Sequence, residues 1–258
     1  MVHSSSYLDF SLTIERAQHL LKLYELLLDK RKRAGRDDWL HKFKNLMHWP
    51  KKENVVRIDS RAGVLVFREK AELDRDQFSH DYLSELLRYS LVAAVSSLDK
   101  YIHDLILENF WKKLNSKDCP SKLKEMKLPL QSTKSAIERI RKQQSSRPSN
   151  ILKQKLQEQL HQRPLHDPKG VEFCANVLGV KKVWKRLEKY LKPRRTAEEI
   201  RSHLTRICKR RNQIVHEADL IRRIRHRKMK LRQITHKDIN VDVNFIIQFV
   251  EAFESIIK

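Results

Sequence analysis

From Leu87 to Leu107 the chain reads LRYSLVAAVSSLDKYIHDLIL. Wound as a helix, this stretch is apolar on most of its sides, so one neighbour cannot cover it and several elements must pack around it. A helix from about Gln77 to Leu114, central to a bundle, is the expectation that constrains the fold most. Arg88, Asp99, Lys100 and Asp104 interrupt the run, which therefore reads as a core helix and not as a membrane span of roughly 20 apolar residues. The small residues Ala93, Ala94, Ser96 and Ser97 would let a neighbouring helix approach closely, and packing accounts for them.

The rest of the chain is also written for helices. Four glycines and seven prolines in 258 residues leave few turn formers, and the Leu/Lys/Glu/Arg stretches carry high helix propensity. A first helix is expected from about Tyr7 to Lys32. Between Val55 and Phe67, β-branched and aromatic residues flank Ser60-Arg61-Ala62-Gly63, which predicts a short β-hairpin. Residues 115–170 are polar, basic and broken by Pro120, Pro129, Pro148, Pro164 and Pro168, so a loop-rich insertion is expected there. The segment VEFCANVLGVKKVWKRLEKYL offers one or two helices, with Gly179 as a turn or C-cap. Thr196 with Glu199, and Thr235 with Asp238, are the capping pairs that open the last two helices, the first of which is expected to continue to Arg223. At this length the chain is read as one all-α domain, 1–258, elaborated by the hairpin and the insertion.

Charge is distributed unevenly. Residues 1–111 hold 18 Lys/Arg against 17 Asp/Glu, and residues 112–258 hold 37 against 15. A neutral half joined to a strongly cationic half suits a polyanion-binding surface, although a generally basic soluble surface is the plainer account. The basic runs lack the Trp/Phe-rich face of a helix that lies on a membrane. Three widely spaced cysteines, Cys119, Cys174 and Cys208, suggest a reducing, cytoplasmic setting. No CxxC pair, HExxH or Walker-type loop is present, and His161 with His166 has poor ligand spacing; no metal or cofactor is expected. Cys208 reads as a buried, inert thiol.

The helix beginning at Thr196 carries the candidate chemistry. Turned by about 100° per residue, Leu204, Ile207, Cys208, Ile214, Val215 and Ala218 form one apolar arc, and Arg211 lies inside it. A guanidinium there requires a carboxylate, an anionic ligand or a polar cavity at a subunit interface. Thr205, Asn212, His216, Asp219 and Arg223 fall on the other, accessible face. Histidine can exchange a proton near neutral pH and arginine can hold phosphate charge, a pair suited to phosphodiester transesterification. Arg211 and His216 are nevertheless about 140° apart on a regular helix. Three solutions are open: the arginine reaches round, the helix is irregular, or two copies of the helix share one cleft. An interface arginine beside an ordinary surface histidine fits the spacing equally well.

RICKRRNQIVHEADL resembles the signature of HEPN-superfamily ribonucleases, an arginine, often followed by a polar residue, then four to six positions and a histidine. Arg211, Asn212 and His216 fill those positions, and Arg210 also satisfies the spacing. LVAAVSSLDKYIHDLI is similar to the preceding helix in the RiboL-PSP-HEPN branch. The resemblance implies a HEPN-like helical bundle that dimerises over a composite, metal-independent active site, leaving 2′,3′-cyclic phosphate and 5′-hydroxyl RNA ends. In that scheme His216 is the general acid or base, Arg211 stabilises phosphate charge, and Asn212 positions substrate or histidine. Asp99 is a candidate partner for Arg211 or orienter of the site, whereas His103 reads as an exposed or capped histidine without a role. Arg222, Arg223, Arg225, Arg227 and Lys228 would meet RNA phosphates without base preference. The biological setting implied is a growth-arresting toxin or antiviral effector with an antitoxin or defence partner. A non-catalytic RNA- or nucleotide-binding module and a basic adaptor for an acidic protein are the alternatives.

Overall fold

The computed structural model describes residues 4–30, 38–126, 134, 148–221 and 230–257. Among these residues there are nine helices and one two-stranded antiparallel sheet. In chain order they are α1 (Ser5–Leu27), α2 (Asp38–Leu46), β1 (Val55–Asp59), β2 (Val64–Arg68), α3 (His80–Leu114), α4 (Ser121–Lys124), α5 (Pro148–His161), α6 (Pro168–Val177), α7 (Val183–Tyr190), α8 (Ala197–Glu217) and α9 (His236–Ile257). No described helix is long and apolar enough to cross a membrane.

Helix α3 is the axis. Leu87, Leu91, Ala94, Val95, Leu98, Ile102 and Ile106 are fully buried, because α1, α5, α8 and α9 all pack against it. The small patch divides as packing dictates: Ala94 and Ser97 are buried, and Ser96 is exposed. Where α1 crosses, the Ser90 hydroxyl donates to the Ala17 carbonyl at 2.8 Å. The start of α1 is pinned to both long helices. Its Ser5 and Ser6 N–H groups donate to Glu108 of α3, and the Ser4 hydroxyl donates to Glu254 of α9, which also accepts from Tyr101. Helix α9 contributes Phe245, Phe249 and Phe253, all buried, and truncating any one to alanine would cost about 3–5 kcal/mol.

The hairpin forms where expected, with Ile58 opposite Leu65. Ser60 closes the turn by accepting from the Ala62 and Gly63 N–H groups. Helix α2 and the residues just after it lie against the hairpin, with Arg57 over the Trp39 ring of α2 at 4.3 Å and Arg68 over Trp49 at 5.1 Å. The region from Pro168 to Tyr190 resolves into two helices, α6 and α7, and Gly179 between them has φ +79°, a conformation glycine adopts without a Cβ penalty.

Two boundaries differ from the sequence expectation. Helix α1 ends at Leu27, where the Leu28 backbone turns extended. Helix α8 ends at Glu217 and does not continue to Arg223, because Ala218 and Asp219 both take left-handed conformations, φ +48° and +55°. Much of the expected insertion, 127–133 and 135–147, lies outside the described residues, and its described flanks include the helices α4 and α5.

Candidate active site

Helix α8 begins as its sequence specifies. The Glu199 N–H donates to Thr196 Oγ1 at 3.2 Å and the Thr196 N–H donates to Glu199 at 2.8 Å, a reciprocal pair that satisfies two otherwise unpaired donors. Ile200, Leu204, Ile207 and Cys208 form its buried face, against α3, α6 and α7. The helix is uninterrupted through Arg211 and His216, which removes local irregularity as the answer to their angular separation.

The other end is held by ion pairs. Asp219 is fully buried and does not lie on the accessible face, contrary to the expectation from extending the helix. Its carboxylate meets Arg88 of α3 at 2.7 Å and Arg210 of α8 at 2.6 Å. Arg88 also donates to Ser84 and to the Arg232 carbonyl, and Arg210 to the Gln233 carbonyl. Two guanidiniums can share one buried carboxylate only if it turns inward, and this contact bends the chain out of the helix. Beyond it, Arg232 donates to the Asp219 carbonyl at 2.9 Å and Leu220 bridges to Leu231. The expected RNA-contacting residues Arg222, Arg223, Arg225, Arg227 and Lys228 lie outside the described residues.

The adjacent arginines thus have different surroundings. Arg210 is committed to Asp219; burial pushes its pKa down, while the carboxylate pulls it back up. Arg211 is half-buried and reaches round the helix, its Nη1 donating to Asn212 Oδ1 at 3.1 Å. Its Nε is buried without a hydrogen-bond partner among the described residues. Asn212 and His216 are exposed one turn apart. Both line a groove of about 430 Å³ with Asp167, Thr205, Cys208 and Lys209. Arg211 thus touches the groove face only through Asn212 and is not itself among the residues that line the groove with His216.

Asp99 is placed elsewhere than on Arg211. It accepts from the Leu165 and His166 N–H groups at 2.7 and 3.0 Å, and its contact with His166 Nδ1 is 2.9 Å. Burial works against its charge, but His166 and the Leu165 N–H outweigh that and hold the carboxyl below its ordinary value. Asp99 thereby ties the segment before α6 to the central helix. His103 is buried, not exposed, with ring nitrogens 2.7 Å from the Asp99 carbonyl and 3.0 Å from the Leu160 carbonyl. Burial, aided by Asp167, pushes the Cys208 thiol up to about 12, as an inert thiol requires. Among the described residues no group of three His, Cys, Asp or Glu could hold a metal ion.

Two features escaped the sequence reading. Arg88 carried a signal, a guanidinium within an apolar run that had to find a partner, but nothing local marks Asp219 as that partner. Asp167, which caps α6 in the structure, was not singled out in the sequence, and its place beside the groove with α8 follows from tertiary packing.

This helical core, which carries Arg211, Asn212 and His216 on α8 and closes with α9, is matched by the family model described as RiboL-PSP-HEPN over residues 65–258. The chain belongs to the RiboL-PSP-HEPN family. Its domain is of the HEPN type, whose functions are RNase-type or otherwise RNA-related. Nothing among curated proteins or solved structures matches the chain. The HEPN match begins within β2 and leaves α1 outside, yet α1 packs along α3 and supplies Phe10, Ile14 and Leu21 to the same core.

Proposed function

We propose that this HEPN-type protein is a metal-independent endoribonuclease that cuts RNA by transesterification. The ribose 2′-oxygen attacks the adjacent phosphorus, the bond from phosphorus to the 5′-oxygen breaks, and the products end in 2′,3′-cyclic phosphate and 5′-hydroxyl. One proton leaves the 2′-hydroxyl and one is delivered to the departing 5′-oxygen. His216 serves as general acid or base, Arg211 stabilises the extra phosphate charge, and Asn212 holds the arginine and positions the substrate. The observation that carries this reading is the joining of Arg211 to Asn212 on the face where His216 lines an open groove.

A homodimer completes the proposal. Val215, one turn beyond Arg211, leaves an apolar side chain 46% exposed; a second copy of α8 packed there would cover it and set two motif helices over one composite site. An RNase of this kind inside a cell fits a toxin or antiviral effector restrained by an antitoxin or defence partner.

The test is cleavage of total RNA in EDTA by wild type, His216→Ala and Arg211→Ala, with product ends identified and oligomeric state measured by light scattering. Cyclic phosphate ends from wild type, with the His216→Ala rate reduced at least about 100-fold in a folded protein, are expected. RNA binding without cleavage by a folded dimer would overturn the nuclease in favour of a binding module.

A further inference from the structure

The groove beside His216 is lined from α8 by a mixed set of side chains, Lys209 and the carboxylate of Glu217 among them, and from the segment before α6 by Asp167. On α8 stand Thr205, Lys209, Asn212 and His216, spaced by three or four residues on one exposed face. Asp167 Oδ1 accepts from the Gly170 N–H at 2.7 Å, while its Oδ2 has no hydrogen-bond partner among the described residues.

The segment that carries this carboxylate is rigid for reasons visible in its contacts. Asp99 accepts from its Leu165 and His166 N–H groups, and the Cys208 thiol donates to the His166 carbonyl at 3.4 Å. Gly170 approaches Leu165 so closely that a Cβ would lie 2.3 Å from the Leu165 carbonyl oxygen. Asp167 is thus held in place before any ligand arrives, as a recognition group should be.

A carboxylate repels phosphate and accepts from a base. Glu217 keeps phosphate from its end of the α8 wall, so a strand in the groove would lay its phosphate toward Lys209 and turn a base toward Asp167. Cytosine and adenine offer exocyclic amines, and guanine offers an amine beside a ring N–H. Uracil offers only an N–H flanked by two carbonyl oxygens, which the carboxylate repels. The base must also be unpaired to present that edge.

We infer that the groove is a nucleotide subsite of the ribonuclease, in which Asp167 selects an unpaired, amino-bearing base over uracil next to the scissile phosphate. The assignment to cleavage rests on the nuclease reading of the same site; the base selection does not. Asp167→Asn is the informative variant, because asparagine caps a helix as well as aspartate and keeps the Gly170 contact while replacing a charged acceptor by an amide.

Two measurements test it, both in EDTA: cleavage-site mapping on an RNA of degenerate sequence, and binding of short oligo(A), oligo(C) and oligo(U). Wild type is expected to favour A and C over U by about tenfold, the scale of one hydrogen bond to a charged group, and Asp167→Asn to reduce that preference to about twofold or less. Equal binding of the three oligomers by wild type, or a preference that survives in Asp167→Asn, overturns the subsite whether or not RNA is cut. Selective binding that Asp167→Asn abolishes, without cleavage by either protein, supports the subsite and overturns the nuclease alone.

Discussion

Asp219→Asn isolates the contact that ends the motif helix. Asp219 is fully buried, its partners Arg88 and Arg210 have side chains 4% and 18% exposed, and the contacts are 2.7 and 2.6 Å. The substitution preserves volume but leaves two neighbouring guanidiniums without their shared carboxylate. Removing one member of a buried ion pair costs about 3–5 kcal/mol, mostly through the charge left behind. The lower end applies here, because Arg88 keeps its bonds to Ser84 and the Arg232 carbonyl and Arg210 can turn its head toward water. A loss of about 3 kcal/mol is therefore expected, a large fraction of the roughly 5–15 kcal/mol by which domains are stable. Urea unfolding at 25 °C should show a lowered midpoint at unchanged slope, and the thermal midpoint should fall by about 6–12 °C for a protein of this size. A loss below about 1 kcal/mol would refute the reasoning, since a surface pair of that strength could not hold the chain out of the helix.

Two further outcomes follow from burial and charge. A carboxyl whose pKa is depressed on folding contributes stability that is complete above its unfolded pKa, about 4, and lost as pH falls through the lower folded value. Asp99, held below its ordinary value by His166 and the Leu165 N–H against the opposing effect of burial, should behave so: urea midpoints of wild type and Asp99→Asn differ at neutral pH and converge under acid, and parallel midpoints would contradict the assignment. Among the cysteines, Cys174 and Cys208 are buried with thiols pushed up chiefly by burial, whereas Cys119 is partly exposed. A thiol reagent at mildly alkaline pH should label Cys119 alone in the native protein and all three in urea; native labelling of Cys208 at a comparable rate would show that α8 opens from the core.

The legible parts of the fold were those written in local spacing. The predominantly apolar character of residues 87–107 demanded a covered helix, and α3 buries residues from Leu87 to Leu107, leaving Tyr89, Ser96 and Lys100 exposed. The hairpin was readable from β-branched residues either side of a turn, and α8 from its capping pair. Spacing together with resemblance offered Arg211, Asn212 and His216 as candidates, and the structure places all three on α8. The end of α8 was not, because propensity favours continuing through Asp219, and the opposing force comes from Arg88, 131 residues earlier in the chain. The choice between Arg210 and Arg211 was open for the same reason: both satisfy the spacing, and only Asp219 commits Arg210 to a buried pair.

Asp99 illustrates the boundary from the other side. Its position on the central helix suggested a partner for Arg211, yet the groups that reach it are the backbone and ring of the segment before α6. The sequence by itself determined the helical class, the central helix, the helix starts and the candidate motif, since periodicity and capping act within one or two turns. Tertiary structure alone decided where α8 stops, which arginine Asp219 holds, and that Asp167 lines the same groove as His216. Those are contacts between segments far apart in the chain, selected by the need to pair buried charge and to fill the core, and no local pattern encodes them.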